Sequence, residues 1–243
     1  MNTAVSRRLA IKIAVTASAF WTGLFNRAFG EVIRRRLPWA AQVSDRPAEV
    51  DQRPGYLFFN ASESAFIEAS VALLIPDDAI GPGALEAGVP HFIDRQLAGP
   101  YGAGDHFYLQ APFPKGLPTQ GWQARSPAEV YRAAIPAIDL WCVATNGKSF
   151  ATLDPATQDD ALKALESGEA ELGGAVDAKR FFALLLQNTL EGYFADPIYG
   201  GNRQMGAWRM IGFPGARYDL RPFVSRYGEP YNLPPVALSG HRG

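Results

Sequence analysis

The sequence predicts a mainly α-helical fold: a single irregular helical domain with long ordered loops, an N-terminal signal segment and an extended C-terminal tail. Three observations lead there. Five stretches of the body carry apolar residues at helical spacing behind a capping residue or an early proline. Strand-like alternation is almost absent, which argues against a βα architecture. The stretches between the helices are dense in glycine, proline and aromatics, a composition that breaks helices yet has to pack against something.

Taken in order, Asn60 followed by Glu63 forms a capping box, and Ala65, Phe66, Ala69, Leu73 and Leu74 continue a helix that Ile75-Pro76 ends. A turn-rich connection, Pro76-Asp-Asp-Ala-Ile-Gly-Pro-Gly83, leads to a second helix with Pro90 in its first turn. Its inner face is Val89, Phe92, Ile93 and Leu97, and Gly99-Pro100 closes it. Residues 99–125 read as loop, with Tyr101, Phe107, Tyr108, Phe113 and Trp122 set among glycines and prolines. Ser126-Pro-Ala-Glu129 is a second capping box, opening a helix towards Asn146-Gly147 with a kink expected at Pro136. Asp154-Pro155 starts a short helix that ends near Gly168, and Asp177 caps another through Phe181, Phe182, Leu185 and Thr189 to Gly192. The expected organisation is therefore a signal segment over 1–30, a linker over 31–56, the helical domain over 57–220 and a proline-rich tail over 221–243.

The N-terminus carries an address. Ser6, Arg7, Arg8, Ile11 and Lys12 match a twin-arginine export pattern, with Ala10 at the position that usually holds phenylalanine. Residues 13–26 are uncharged but only moderately apolar. At ~1.5 Å per residue they span roughly 21 Å, short of the ~30 Å hydrocarbon core, so they suit a signal peptide better than a membrane span. Export to the periplasm is the expectation.

Charge and cysteine content narrow the function. Residues 1–53 hold nine Arg/Lys against four Asp/Glu, or +5, and with a net charge of −1 for the whole chain residues 54–243 carry −6. A mildly acidic body argues against nucleic-acid binding, which depends on neutralising phosphates. The single cysteine, Cys142, cannot build a zinc site, an iron–sulfur cluster or a haem attachment. Its two readings are a small buried hydrophobe and an inter-subunit disulfide.

Catalytic patterns are missing as well. His91, His106 and His241 form no metal-binding spacing, no G-x-S-x-G elbow or P-loop occurs, and Gly81-Pro-Gly83 fails the dinucleotide fingerprint. The carboxylate pairs Asp77-Asp78 and Asp159-Asp160 read as capping and solvated charge. No catalytic, cofactor-binding or metal-binding residue is assigned.

The stretch that stands out is Phe194-Ala-Asp-Pro-Ile-Tyr-Gly-Gly-Asn-Arg203, continuing through Trp208 to Ile211-Gly-Phe-Pro-Gly-Ala-Arg-Tyr218. It has no helical or strand period and reads as an ordered loop presented for contact. Asp196 reads as a structural group, satisfying backbone donors near Gly200-Gly201 or pairing with Arg203.

With Phe59-Asn-Ala61, Gly81-Pro-Gly83, Glu86-Ala-Gly88, Phe92-Ile-Asp-Arg-Gln-Leu97, Gly99-Pro-Tyr101 and Phe181-Phe182, this loop makes residues 57–220 resemble the gluconate 2-dehydrogenase subunit 3 family. The resemblance implies a non-catalytic small subunit that helps export, mature and stabilise a large FAD-containing flavoprotein of the glucose-methanol-choline type. A membrane-anchored multihaem cytochrome c subunit is a further implied partner, so FAD and haem c are expected in the partners and not in this chain. The expected partner interface is Asp196, Tyr199, Gly200, Gly201, Asn202, Arg203, Trp208, Phe213 and Arg217. A free-standing periplasmic binding or envelope protein, or a stand-alone periplasmic enzyme, are the alternatives.

Overall fold

The computed structural model describes residues 54–105, 125–217, 219–240 and 242. The export motif and the aromatics Phe107, Tyr108, Phe113 and Trp122 lie outside the described residues. Among the described residues seven α-helices make up the body: α1 (Ala61–Leu74), α2 (Val89–Ala98), α3 (Pro100–Ala103), α4 (Pro127–Asn146), α5 (Pro155–Ser167), α6 (Ala178–Phe194) and α7 (Gly206–Ile211). No strand occurs among the described residues, only isolated bridges that join Val236 to Gly215 and to Arg242.

The caps fall where the sequence places them. Asn60 and Ser126 each accept from the backbone N–H three residues on, and the Glu63 and Glu129 carboxylates accept from the cap residues' own N–H groups. Asp154 and Asp177 cap α5 and α6 in the same sense. Each such cap stabilises its helix by about 1 kcal/mol. Pro136 lies inside α4 without ending it.

Three details differ from the sequence reading. The buried face of α1 is Glu63, Ser64, Phe66, Ile67, Ser70 and Val71, while Ala65, Ala69 and Leu73 sit half-buried at its edge. Glu63 tolerates burial because it serves the capping box and pairs with Arg132, whose guanidinium also donates to the Phe58 carbonyl. Pro100 opens the short turn of α3 in place of loop, and Tyr101 on it accepts from Asn188 at 2.9 Å. Finally, α6 runs past Gly192 to Phe194. Gly192 does not stop the helix because it is a contact point: a Cβ there would lie 2.7 Å from the Phe92 ring.

α6 is the central helix, packed on α1, α2, α4, α5 and α7. Around it sits an aromatic core. Phe66 lies 4.7 Å from Phe150 and 6.3 Å from Phe181 between ring centroids, and Tyr131 meets Phe181 edge to face at 5.4 Å. Burying one such ring stabilises the fold by roughly 1.5–3 kcal/mol. The Tyr131 hydroxyl is accommodated because it donates to Asn188 Oδ1 at 2.9 Å. Cys142 belongs to this core, with no exposed surface and its thiol pushed up to about 11 by burial and by the nearby Asp139. A disulfide to another subunit would require α4 to leave the core, so the geometry supports the small buried hydrophobe.

One buried carboxylate ties the start of the body to its middle. Asp94 on α2 is fully buried and accepts from three successive backbone N–H groups, Leu57 at 2.7 Å, Phe58 at 2.8 Å and Phe59 at 2.9 Å. Arg95 pairs with it and donates to the Gly55 carbonyl. Asp94 thus acts as an anion held by oriented amides, the arrangement that keeps a buried charge tolerable. Gly55 and Tyr56, assigned to the linker, are already bound to the body.

Candidate functional site

The loop after α6 is built from the inside outward. The Asp196 carboxylate accepts from Ile198 N–H at 3.0 Å and from Leu238 N–H at 2.8 Å. Its partners are a short 3-10 turn and the C-terminal segment, not the Gly200-Gly201 turn or Arg203. Gly201 lies directly on α6, where a Cβ would come within 2.1 Å of the Gly192 carbonyl oxygen. Asn202 follows in the left-handed region (φ 44°), fully buried. Its amide donates to Ala195 O and its carbonyl accepts from Ala207 N–H, both at 3.0 Å. The Trp208 indole donates to the Phe194 carbonyl at 2.8 Å and is 5% exposed.

These contacts divide the expected interface set. Gly201, Asn202 and Trp208 are enclosed within the chain itself, because their polar groups and missing side chain are used to turn the backbone back across the end of α6. They support a surface from behind. Tyr199, Arg203 and Phe213 are the exposed members, Phe213 lying edge to face on Trp208 at 5.0 Å. Gly200 is half-buried, and Arg217 is half-buried with its guanidinium donating to Pro234 O at 2.6 Å. Asn202, Gln204 and Met205 all have positive φ without being glycine. Such a cluster persists only where surrounding contacts impose it, and it marks the segment as specialised.

Beside this loop lies a feature that sequence reasoning missed. Leu74, Ile75, Ile80, Leu190, Phe194 and Met210, from α1, the following turn, α6 and α7, line an open apolar cleft of about 260 Å³. Tyr193 forms part of its wall, its hydroxyl donating to Pro82 O at 2.7 Å. Burial raises the Tyr193 pKa, helped by Asp78 and Asp77 at the cleft's acidic edge. Ile80 is 77% exposed and Leu190 44%. Single exposed apolar residues are ordinary, but several sharing one cleft indicate a contact surface. The available signal was Ile80, an apolar residue in an otherwise polar turn.

On the other side of the signature loop, Arg203 N–H donates to Ala87 O at 3.0 Å, placing this residue beside the start of α2. His91 there stacks on Tyr56 at 4.9 Å, and Tyr56 donates to Glu68. Burial holds the His91 pKa down, reinforced by the positive charges of Arg203 and Arg95. This edge is polar, with Arg203 and Arg95 set against Glu68 and Asp94, where the cleft is apolar. Among the described residues no three His, Cys, Asp or Glu side chains come together as a metal site would need.

The family model for gluconate 2-dehydrogenase subunit 3 matches residues 61–215, from the first helix through most of the signature loop. The chain belongs to that family. No curated protein and no solved structure matches it significantly. As a gluconate 2-dehydrogenase subunit 3, it is an accessory-type subunit within a multi-subunit dehydrogenase. The matched segment includes both the helices that wall the cleft and the loop whose buried members hold α7 in place. No helix among the described residues is long and apolar enough to cross a membrane.

Proposed function

We propose that this chain is the non-catalytic small subunit of a membrane-bound, FAD-dependent gluconate or sugar dehydrogenase, and that it escorts the large flavoprotein through twin-arginine export and stabilises it in the periplasm. The reading combines family membership with the Ser6-Arg7-Arg8 motif, and the apolar cleft supports it most directly. A flavoprotein loaded with FAD in the cytoplasm has to be exported folded. A small subunit that grips the folded form and bears the address would carry it and stabilise it by mass action. FAD resides in the large subunit and haem c in a cytochrome partner that passes electrons to the membrane.

In this account the cleft receives an apolar side chain of the flavoprotein, while the Asp77 and Asp78 edge favours a cationic neighbour. Replacing both Ile80 and Leu190 by aspartate should lower the flavin that co-purifies with the tagged full-length chain by ~10-fold or more, the scale of losing one interface hot spot. The isolated variant should keep its helical circular dichroism, because both side chains already face solvent. Undiminished flavin in the variant would place the contact elsewhere.

A further inference from the structure

The C-terminal segment does not trail off. It leaves the signature loop after Arg217, makes an excursion through residues 219–233, and returns to where it started. The return is fastened by Ala216 N–H donating to Val236 O at 2.7 Å, Val236 N–H to Pro214 O at 3.2 Å, and Leu238 N–H to Asp196. Ala237 is buried with Met205 and Trp208. The excursion is preorganised too: Phe223 packs on Tyr231 at 4.9 Å, and Arg226 lies over the Phe223 ring while pairing with Glu229. Among the side chains it leaves outside, beside paired charges, are two large apolar ones. Tyr227 is 100% exposed and Val224 78%.

We propose that residues 219–233 form a docking arm whose tip, Val224 and Tyr227, inserts into an apolar pocket on the large subunit. This rests on the accessory-subunit reading above. A fully exposed tyrosine at the end of a loop closed at its base gives the free chain no packing, whereas an aromatic anchor presented at little entropic cost is what an interface uses. Charge selects the occupant. Asp219 pairs with Arg221 and Arg226 with Glu229, so the four charged residues of the arm cancel and leave no basic patch to hold an anionic lipid surface. The stem begins soon after Phe213, which lies exposed on Trp208, so the arm is continuous along the chain with the exposed members of the signature loop.

The test uses the full-length tagged chain co-expressed with its large flavoprotein subunit, comparing wild type with Val224→Ser/Tyr227→Ala and with Tyr227→Ser alone. Each variant's melting temperature should match wild type, and the affinity for the flavoprotein should fall by ~10-fold or more, read as co-purified flavin and as an accelerated dissociation rate. Flavin retained at the wild-type level in both variants overturns the arm while leaving the accessory-subunit reading standing. Wild-type chain that captures no flavoprotein overturns both. A wild-type homodimer that the variants dissolve, or sedimentation of wild type but not variant with phosphatidylglycerol vesicles, would also overturn the proposal by assigning the tip to a second copy or to lipid.

Discussion

Replacing Asp94 by alanine is expected to destabilise the body by about 3–5 kcal/mol, the cost of removing one member of a buried ionic network. Three amides and the Arg95 guanidinium converge on this carboxylate, and alanine would strand them where water cannot take its place. Against a total stability of about 5–15 kcal/mol, such a loss removes a large share of the margin. Asn60, which caps α1, directly follows the clamped segment, so the entry to that helix should loosen with it. Asp94→Asn keeps one acceptor oxygen but loses the charge and turns the other acceptor into a donor, and should fall between alanine and wild type. Urea midpoints of the three chains check this ordering. An alanine variant within about 1 kcal/mol of wild type, the ordinary size of a surface change, would show that the clamp is dispensable.

Asn202→Ala is expected to release the signature loop at a cost of about 3 kcal/mol or more. Its side chain satisfies Ala195 O and Ala207 N–H, and about 1–3 kcal/mol is at stake for each buried group left unpaired. Alanine in the left-handed region adds about 1–2 kcal/mol of backbone strain. Asn202→Gly relieves that strain without restoring the bonds, so it should recover about 1 kcal/mol and separate the two contributions. Hydrogen exchange should quicken in residues 195–208 and 236–238, because the C-terminal return packs on Trp208, while the aromatic core around Phe181 stays protected. Uniform loss of protection would mean that the loop and the core form a single cooperative unit. Gly201→Ala should produce the same local pattern, since its Cβ would collide with the backbone of α6.

These residues also show what can be read from sequence. Helix starts were legible because a cap is a local event: Asn60, Ser126, Asp154 and Asp177 each act within three residues of themselves. Gly192 misled because glycine as a C-cap and glycine as a contact point look alike until Phe92, a hundred residues earlier, is brought against it. The same limit applies to the site. Trp208 and Asn202 have residue types that suit an interface, and only the distant backbone groups they serve show that they hold the surface up from within. The cleft was illegible because Leu74, Ile80, Leu190 and Met210 come from four elements and share no spacing. Asp94 lay inside a quoted motif, yet its purpose depends on amides that nothing in the sequence points to.

The central claim is that this chain supplies the export address for a folded flavoprotein. It is tested most directly by Arg7→Lys/Arg8→Lys in the chain's own host. Lysine preserves the charge but not the planar guanidinium fork, so recognition that depends on the arginine pair should fail while nonspecific attraction survives. The account predicts that both this chain and its FAD-loaded partner remain in the cytoplasm, with periplasmic-side dehydrogenase activity down by ~10-fold or more. Normal periplasmic activity in the double variant would contradict it.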